Sequence, residues 1–561
     1  MLRPEDLNRM DKSTLIALVQ ELGKQVNTMS EELDTKSKEL DTALQLIEIY
    51  KESIASLNLQ IYGAKSEKRT PITEPLPDNT FNDAEVLADP SAPEETVEEI
   101  QRTYRGKKKK GKREMDFEGL PVIQEVHDIP EDQHDCPNCD GTLRCIGSDV
   151  RKELVEIPRQ IYVVEHITPK YICDECEKHS EKSTILKADS PKPVIPNSGL
   201  ASSSLISSIV FRKFFMGLPL YRQEKEYKLN GIKINRQNMA NWMIHVAANY
   251  FKPLYDIMHE ELKKSLSIHC DETPVIVLKE PSRPKERSKN SKSYFWLFQT
   301  GRSEKHPIVL FKYSHSRAHD IPKEFLKDFN NYAHVDGYSA YHKIKGIAWV
   351  GCWSHCRRLF MDVYKLIPPK DRNKEPLQLC EIGLNYIDRL FTLEKEFADF
   401  PYDKVFEERQ KLSLPIIDEF FTWVHDNLNT VIPTSKIGTA LTYANNQESY
   451  LRKYLVDGRL EISNNRAERS IRPISIGKKN WLFANTEGGA EASAILYSFT
   501  LTAIENSLDP FKYIELVLNE LAQITPSNFT HEILTEYLPY SDYVISKCKT
   551  DLTNSVNDNI T

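Results

Sequence analysis

No uninterrupted apolar run in the 561 residues approaches the roughly 18 that a membrane-spanning helix requires. The opening stretch, Met1 to Ser13, also lacks the basic-then-apolar layout of a secretory signal, so a cytoplasmic location is expected and the ten cysteines are expected to stay reduced. Positive charge is not in excess either. The 74 Lys and Arg against 82 Asp and Glu leave a net charge of −8, which argues against a protein that coats nucleic acid nonspecifically. Local basic clusters can still dock on phosphates. What is present is ordinary for a soluble multidomain chain: 40% apolar residues, 28% charged, and a length that suggests several domains at about one per 150 residues.

Between Val19 and Ile61 apolar residues recur at alternating spacings of three and four, and only Lys36 interrupts the seam. A sustained 3.5-residue period predicts a coiled-coil, zipper-like dimerisation helix over residues 1–70, a long helix packed within its own chain being the alternative. Residues 71–100 hold nine acids, several prolines and no Lys or Arg, and Arg105 to Arg113 (RGKKKKGKR) is basic at seven of nine positions. Residues 71–114 therefore read as a linker, acidic then basic, without a core of its own; its basic end could meet DNA phosphates or simply the acidic stretch before it.

Over 115–188, Cys136-Pro-Asn-Cys139 and Cys173-Asp-Glu-Cys176 are two knuckles separated by strand-like segments. A two-residue gap turns both sulfurs of a pair toward one point, so four thiolates from Cys136, Cys139, Cys173 and Cys176 suit one structural, tetrahedral Zn²⁺ in a zinc-ribbon-like module. Residues 189–260 are expected to be helical. Tyr221–Lys228, a break at Leu229-Asn230-Gly231, and Asn235–His245 could form a DNA-binding helix-turn-helix or an ordinary helix pair.

The segment Ser267 to Leu278 alternates and is rich in β-branched residues, predicting a strand with Asp271 near its middle and Glu272 on the opposite face. Strand-like runs follow at 294–300, 307–313 and 332–336, the last ending at Asp336 before a glycine turn, and another at 346–352 leads into a helical segment with His355, Arg357 and Arg358. Three strands, a connection and two more strands is a ribonuclease H-like order that would bring the two aspartates onto neighbouring strands. A third acid is expected from a helix across that sheet. The best candidate is Glu468, on a helix with Ser463 as N-cap and Pro473 as its stop, beside a basic edge of Arg469 and Arg472. Three carboxylates can hold two Mg²⁺ (or Mn²⁺) ions, and hard cations of this kind stabilise the attacking and leaving oxygens of phosphoryl transfer.

Asp457 to Pro473, containing Ser-Asn-Asn465-Arg-Ala-Glu468-Arg-Ser-Ile-Arg472-Pro, followed by Gly477-Lys478-Lys479-Asn-Trp-Leu-Phe483, resembles the signature of insertion sequence 66 family transposases. The likeness extends to the zipper-like start, the paired cysteines, Leu218 to Glu224, Cys270-Asp271-Glu-Thr-Pro, Val335-Asp336-Gly-Tyr338, Cys352 to Arg358, and Asn506 to Pro510. Ser463 stands where the family usually has aspartate, and Cys356 where a small residue is common. The resemblance implies a DDE-type transposase with catalytic residues Asp271, Asp336 and Glu468 as the Mg²⁺ ligands. It implies a multidomain α+β chain in which a ribonuclease H-like core (261–364 and 456–500) is split by an α-helical insertion (365–455) and followed by a helical tail (501–561). His355, Arg357, Arg358, Arg469, Arg472, Lys478 and Lys479 are the candidate DNA contacts. A second zinc site at Cys352, His355 and Cys356 lacks a fourth ligand, so those cysteines are expected in the core. Expected partners are element-end and target DNA, a second copy through the coiled coil, and accessory proteins of the same element. A catalytically inactive DNA-binding descendant and a structure-specific nuclease are the rival readings.

Overall fold

The computed structural model describes residues 12–62, 160–172, 185–196, 200–283 and 292–549. Contacts divide the chain into two units, 64–190 and the remainder. Cys136, Cys139, Cys173, Cys176 and the basic run lie outside the described residues.

In the larger unit, helix α1 runs unbroken over Lys12–Tyr62. Val19, Leu22, Val26, Met29, Leu33 and Leu40 of its apolar seam are exposed, so they are not packed onto the unit's own core. In the smaller unit, strands β1 (Lys170–Ile172) and β2 (Ile185–Lys187) pair antiparallel, Tyr171 opposite Leu186.

Four helices precede the main sheet: α2 (Ser203–Phe214), α3 (Leu220–Leu229), α4 (Arg236–Val246) and α5 (Lys252–Leu262). The α3–α4 break falls at Gly231, whose φ of 77° suits glycine, and Asn235 caps α4 by accepting from the Asn238 amide at 2.7 Å. Next come β3 (Ser267–Val275), β4 (Val277–Lys279), β5 (Ser293–Thr300), β6 (Val309–Ser314), α6 (Asp320–Phe325), β7 (Tyr332–His334), α7 (Ser339–His342) and β8 (Ala348–Val350). Five of the strands form one sheet in the order β6-β5-β3-β7-β8, antiparallel across β6, β5 and β3 and parallel across β3, β7 and β8. The strand expected to continue to Leu278 breaks at Ile276, because β4 leaves to pair with a later segment.

Helix α8 (Trp353–Tyr364) then leads into α9 (Leu379–Glu396), α10 (Tyr402–Glu408), α11 (Leu414–Leu428) and α12 (Lys436–Leu451), which have a core of their own around Trp353, Phe360, Phe420 and Phe421. The chain returns to the sheet as α13 (Asn465–Trp481), β9 (Ala484–Thr486) and α14 (Glu487–Glu505), and finishes with α15 (Pro510–Leu521), α16 (His531–Glu536) and α17 (Asp542–Cys548). Strand β9 is the partner of β4, Val277 opposite Ala484.

The edge strand β6 is closed by a helix. Ser498 and Thr502 of α14 accept from the Phe311 and Val309 amides at 2.8 and 3.0 Å, satisfying donors that an open sheet edge would leave bare. Strand β5 is buried on both faces, with Phe295, Trp296, Leu297 and Phe298 fully enclosed, so the sheet is sandwiched between helical layers. Among the described residues no helix is long and apolar enough to cross a membrane.

Candidate active site

Asp271 lies at the centre of β3, on the same side as His269 and Thr273. Strand β7 pairs with β3 in parallel, with His269 opposite His334 and the two imidazoles stacked at 4.2 Å between centroids. Two residues further along come Asp271, still in β3, and Asp336, so each aspartate follows one of the stacked histidines by two residues. Asp336 sits two residues past the last residue of β7 rather than ending a strand. There its Oδ1 accepts the Tyr338 amide at 2.9 Å, an Asx-type turn that holds the carboxylate at the sheet's edge. Gly337 within this turn has φ 91°, and a Cβ there would meet the Tyr443 hydroxyl at 3.0 Å. Tyr443, from α12, donates to the Asp336 carbonyl at 2.9 Å, so the helical segment braces the second aspartate.

Glu468 is in the first turn of α13. The N-cap of that helix is Asn464, not Ser463, and Pro473 lies inside it. The helix passes its proline because Ile471, Ile474 and Gly477 are buried, and tertiary packing outweighs the one lost hydrogen bond. Asn464 is fully buried. Its Oδ1 lies 2.9 Å from His269 Nδ1, its Nδ2 donates to the Cys270 carbonyl at 2.9 Å, and its backbone amide donates to Cys352 Sγ at 3.1 Å. One residue thus ties the Glu468 helix to the Asp271 strand through its side chain and to the residue before α8 through its backbone amide.

Glu461 completes the layer below the acids. Its carboxylate is 3.0 Å from His269 Nε2 and 3.2 Å from Arg466 Nε. Burial alone would raise the Glu461 carboxyl, but the adjoining His269 and Arg466 outweigh it and hold the group well below the usual carboxylate range. His334 is pushed down to about 3 by burial and then by His269. It is therefore neutral: Nδ1–H donates to the Ile268 carbonyl at 3.2 Å, leaving Nε2 to accept the Glu461 amide at 3.1 Å. Engaged in this way, the Glu461 carboxylate is committed to the histidine layer and to Arg466.

The three acids share a field. Burial raises the Asp271 carboxyl well above its ordinary range, and the negative charges of Glu272, Asp336 and Glu468 raise it further, against a partial offset from the Glu272 amide that donates to it at 2.8 Å. Glu272 points to the other face of the strand, where Tyr341 Oη and Arg317 Nε donate to it at 2.6 and 2.7 Å. The Glu468 carboxylate is turned onto Arg358, whose Nη2 donates to both oxygens at 3.1 and 3.2 Å, with His355 Nδ1 3.7 Å away. Burial, then Arg358, lowers the His355 imidazole, and the charges of Glu468 and Asp336 pull the other way. Among the described residues no group of three or more His, Cys, Asp or Glu side chains is close enough to hold a metal ion.

The remaining candidates divide. Arg469 and Lys479 are exposed on α13 and Arg472 is half-buried there. Lys478, expected at DNA, instead turns inward: Nζ donates to Thr273 Oγ1 and the Pro274 carbonyl, both at 2.8 Å, because two successive helical lysines cannot share one face. Arg357 pairs with Asp388 of α9, Nη2 to Oδ2 at 3.2 Å, joining α8 to the helical segment. Cys352 and Cys356 are buried core residues.

Residues 198–492, more than half of the chain, match the family model described as Transposase IS66 family. This chain is a member of the IS66 transposase family. Residues 133–177, which include all four expected zinc ligands, match the zinc-finger binding domain of transposase IS66, a domain that supports Zn²⁺ binding. Curated relatives of this IS66 transposase include three uncharacterized proteins of Sinorhizobium fredii. One, y4qI, is 30% identical over 73% of this chain and 74% of its own length. Another, y4hP, is 25% identical over 69% and 70%. The third, y4jD, is 26% identical over 88% and 94%. The family match reaches from α2 into α14 and so includes Asp271, Asp336 and Glu468.

Proposed function

We propose that this IS66 transposase is a DDE-type enzyme on a ribonuclease H-like core, cutting the ends of its own element and joining the freed 3′-hydroxyls to target DNA. The observation that carries this reading is the β3–β7 register, which leads to Asp271 and Asp336 from paired histidines, with Glu468 on the helix whose N-cap Asn464 is bonded to β3. Repelling carboxylates around a buried acid form a donor set suited to hard divalent cations. Asp271, Asp336 and Glu468 would hold two Mg²⁺ or Mn²⁺ ions, which supply charge stabilisation at the attacking and leaving oxygens. Glu468 completes that set only on leaving Arg358, so the Arg358–Glu468 pair keeps the third acid in reserve.

The protein's other parts serve DNA. Cys136, Cys139, Cys173 and Cys176 would hold one structural Zn²⁺, and the exposed seam of α1 fits a second copy of the same helix, pairing two protomers on two element ends. Arg469, Arg472 and Lys479 extend the basic edge away from Glu468.

Strand transfer tests the reading. With duplexes from the two ends of the element that encodes the chain, and Mg²⁺ or Mn²⁺, the parent should yield joined products and Asp336→Ala none. Cleavage without joining would indicate a nuclease, and DNA binding without either would indicate an inactive descendant. Loss of bound zinc in Cys136→Ser and Cys173→Ser checks the metal module separately.

A further inference from the structure

Helix α13 ends in a strained turn. Leu482 has φ 63° and ψ −49°, a region costly for any residue with a Cβ, and the Phe483 amide bonds back to the Trp481 carbonyl at 2.8 Å, making a γ-turn with Leu482 at its centre. The turn is held from both sides. The Leu482 amide donates to the Lys478 carbonyl at 2.8 Å, closing the helix, and the Ala484 amide donates to the Ile276 carbonyl at 2.8 Å, starting β9. Trp481 packs against the core below. The strain is therefore imposed by rigid surroundings, and what it does is present two large apolar side chains to solvent: Leu482 is 62% exposed and Phe483 45%.

This tip ends a stripe that is exposed at Arg469, Ile476 and Lys479 and half-buried at Arg472. Arg469, Arg472, Ile476, Lys479 and Leu482 follow one another at spacings of three and four, so cationic side chains run along one side of α13 from beside Glu468 to the tip. A positive track that finishes in a rigid apolar point is complementary to duplex DNA, whose phosphates the cations meet and whose base stack an apolar side chain can enter.

We propose that Leu482 and Phe483 form a wedge that unstacks one base step of bound DNA. The inference rests on the reading of the chain as a DNA-processing enzyme and adds where the duplex is opened. Fourteen residues separate Glu468 from Leu482, about 21 Å along a helix. With α13 laid along the duplex axis, about 3.4 Å per base pair puts the opened step roughly six base pairs from the phosphate at the acids.

The test uses the full chain carrying Asp336→Ala, so that DNA stays uncut, and duplexes from the element's own two ends with 2-aminopurine stepped through them. A fluorescence rise confined to one step about six base pairs from the cleavage site of the parent enzyme is expected. Adding Leu482→Ala and Phe483→Ala should abolish the rise while changing affinity by less than about tenfold, because lost stacking contacts and avoided unstacking offset each other. Leu482→Gly, which relaxes the backbone at positive φ, should fold at least as well and also lose the rise. An unchanged rise in the variants overturns the wedge, as does parent protein that binds and cuts with no rise at any position. Variants that lose self-association while still unstacking DNA would assign the tip to a second copy instead and equally overturn it. Failure of the parent to bind or cut these duplexes at all would reject the DNA-processing reading itself, and the wedge with it.

Discussion

Asn464 Oδ1 lies 2.9 Å from His269 Nδ1 while its Nδ2 donates to the carbonyl of Cys270 at 2.9 Å, so the residue four before Glu468 grips the two residues preceding Asp271. An amide is suited to this place because it offers an acceptor and a donor side by side. Replacing Asn464 by Ala leaves two buried partners unsatisfied, at about 1–3 kcal/mol each. Asn464→Ala should lower Tm by several degrees and, with the α13 helix no longer registered on β3, depress cleavage far more than DNA binding. Asn464→Asp keeps the acceptor, loses the donor, and should fall between. Equal cleavage by all three proteins would show that the clamp does not position Glu468.

The buried histidine layer makes stability depend on pH with a definite sign. His334 titrates at about 3 in the fold, because of burial and His269, against about 6.5 for an unfolded histidine. The unfolded chain therefore binds the extra proton first. Its contribution is complete above pH about 6.5 and is lost progressively as pH falls toward 3. Glu461, held below the usual carboxylate range, loses its contribution in the same direction at lower pH. Asp271, raised by burial and by Glu272, Asp336 and Glu468, opposes both, since acidification relieves it. Thermal unfolding between pH 7.5 and 5 should show Tm falling in the parent and a flatter profile in His334→Asn. Parallel profiles would mean that His334 does not control the acid limb.

Much of this site is written in the sequence, and the parts that are not have local causes. Each aspartate is preceded at two residues by a histidine, His269-Cys-Asp271 and His334-Val-Asp336, and a two-residue strand period puts the first pair on one side, while Asp336 lies past the end of β7. That repeated His-x-Asp was the available signal for the layer beneath the acids. Proline and serine at Pro473 and Ser463 predicted a shorter helix, because capping rules carry no information about the burial that sustains α13 across the proline. Lys478 was indistinguishable from Lys479 in composition, and only its contact with Thr273 and Pro274 separates them. Tyr443 lies 107 residues from Asp336, and no local pattern reports a contact across such a span.

Crowded buried acids are costly for a metal-free fold. Asp271→Asn removes the carboxylate that burial and three neighbouring acids disfavour. In metal-free buffer the variant should therefore unfold a few degrees above the parent. Adding Mn²⁺ should raise the parent's Tm through binding to the folded state, leave the variant's nearly unmoved, and restore no strand transfer to it. A variant less stable than the parent without metal would contradict the charge repulsion inferred at Asp271.

The inward turn of Lys478 and the outward placement of Arg469 predict opposite phenotypes from two cationic residues on one helix. Arg469 is exposed, one residue past Glu468, where a side chain can reach a phosphate near the acids. Arg469→Ala should leave Tm unchanged, weaken DNA binding across sequences, and reduce the slope of log affinity against log salt by about one. Lys478 spends its charge on Thr273 and Pro274, two and three residues past Asp271 on the same strand. Burial, then Lys292, lowers its pKa, a cost of the inward turn, and Lys478→Ala orphans a backbone carbonyl at the end of β3. That variant should lose stability and retain the parent's salt slope. Salt titrations of binding, run beside melting curves for both variants, separate the roles; a reduced slope in Lys478→Ala would return that residue to the DNA surface.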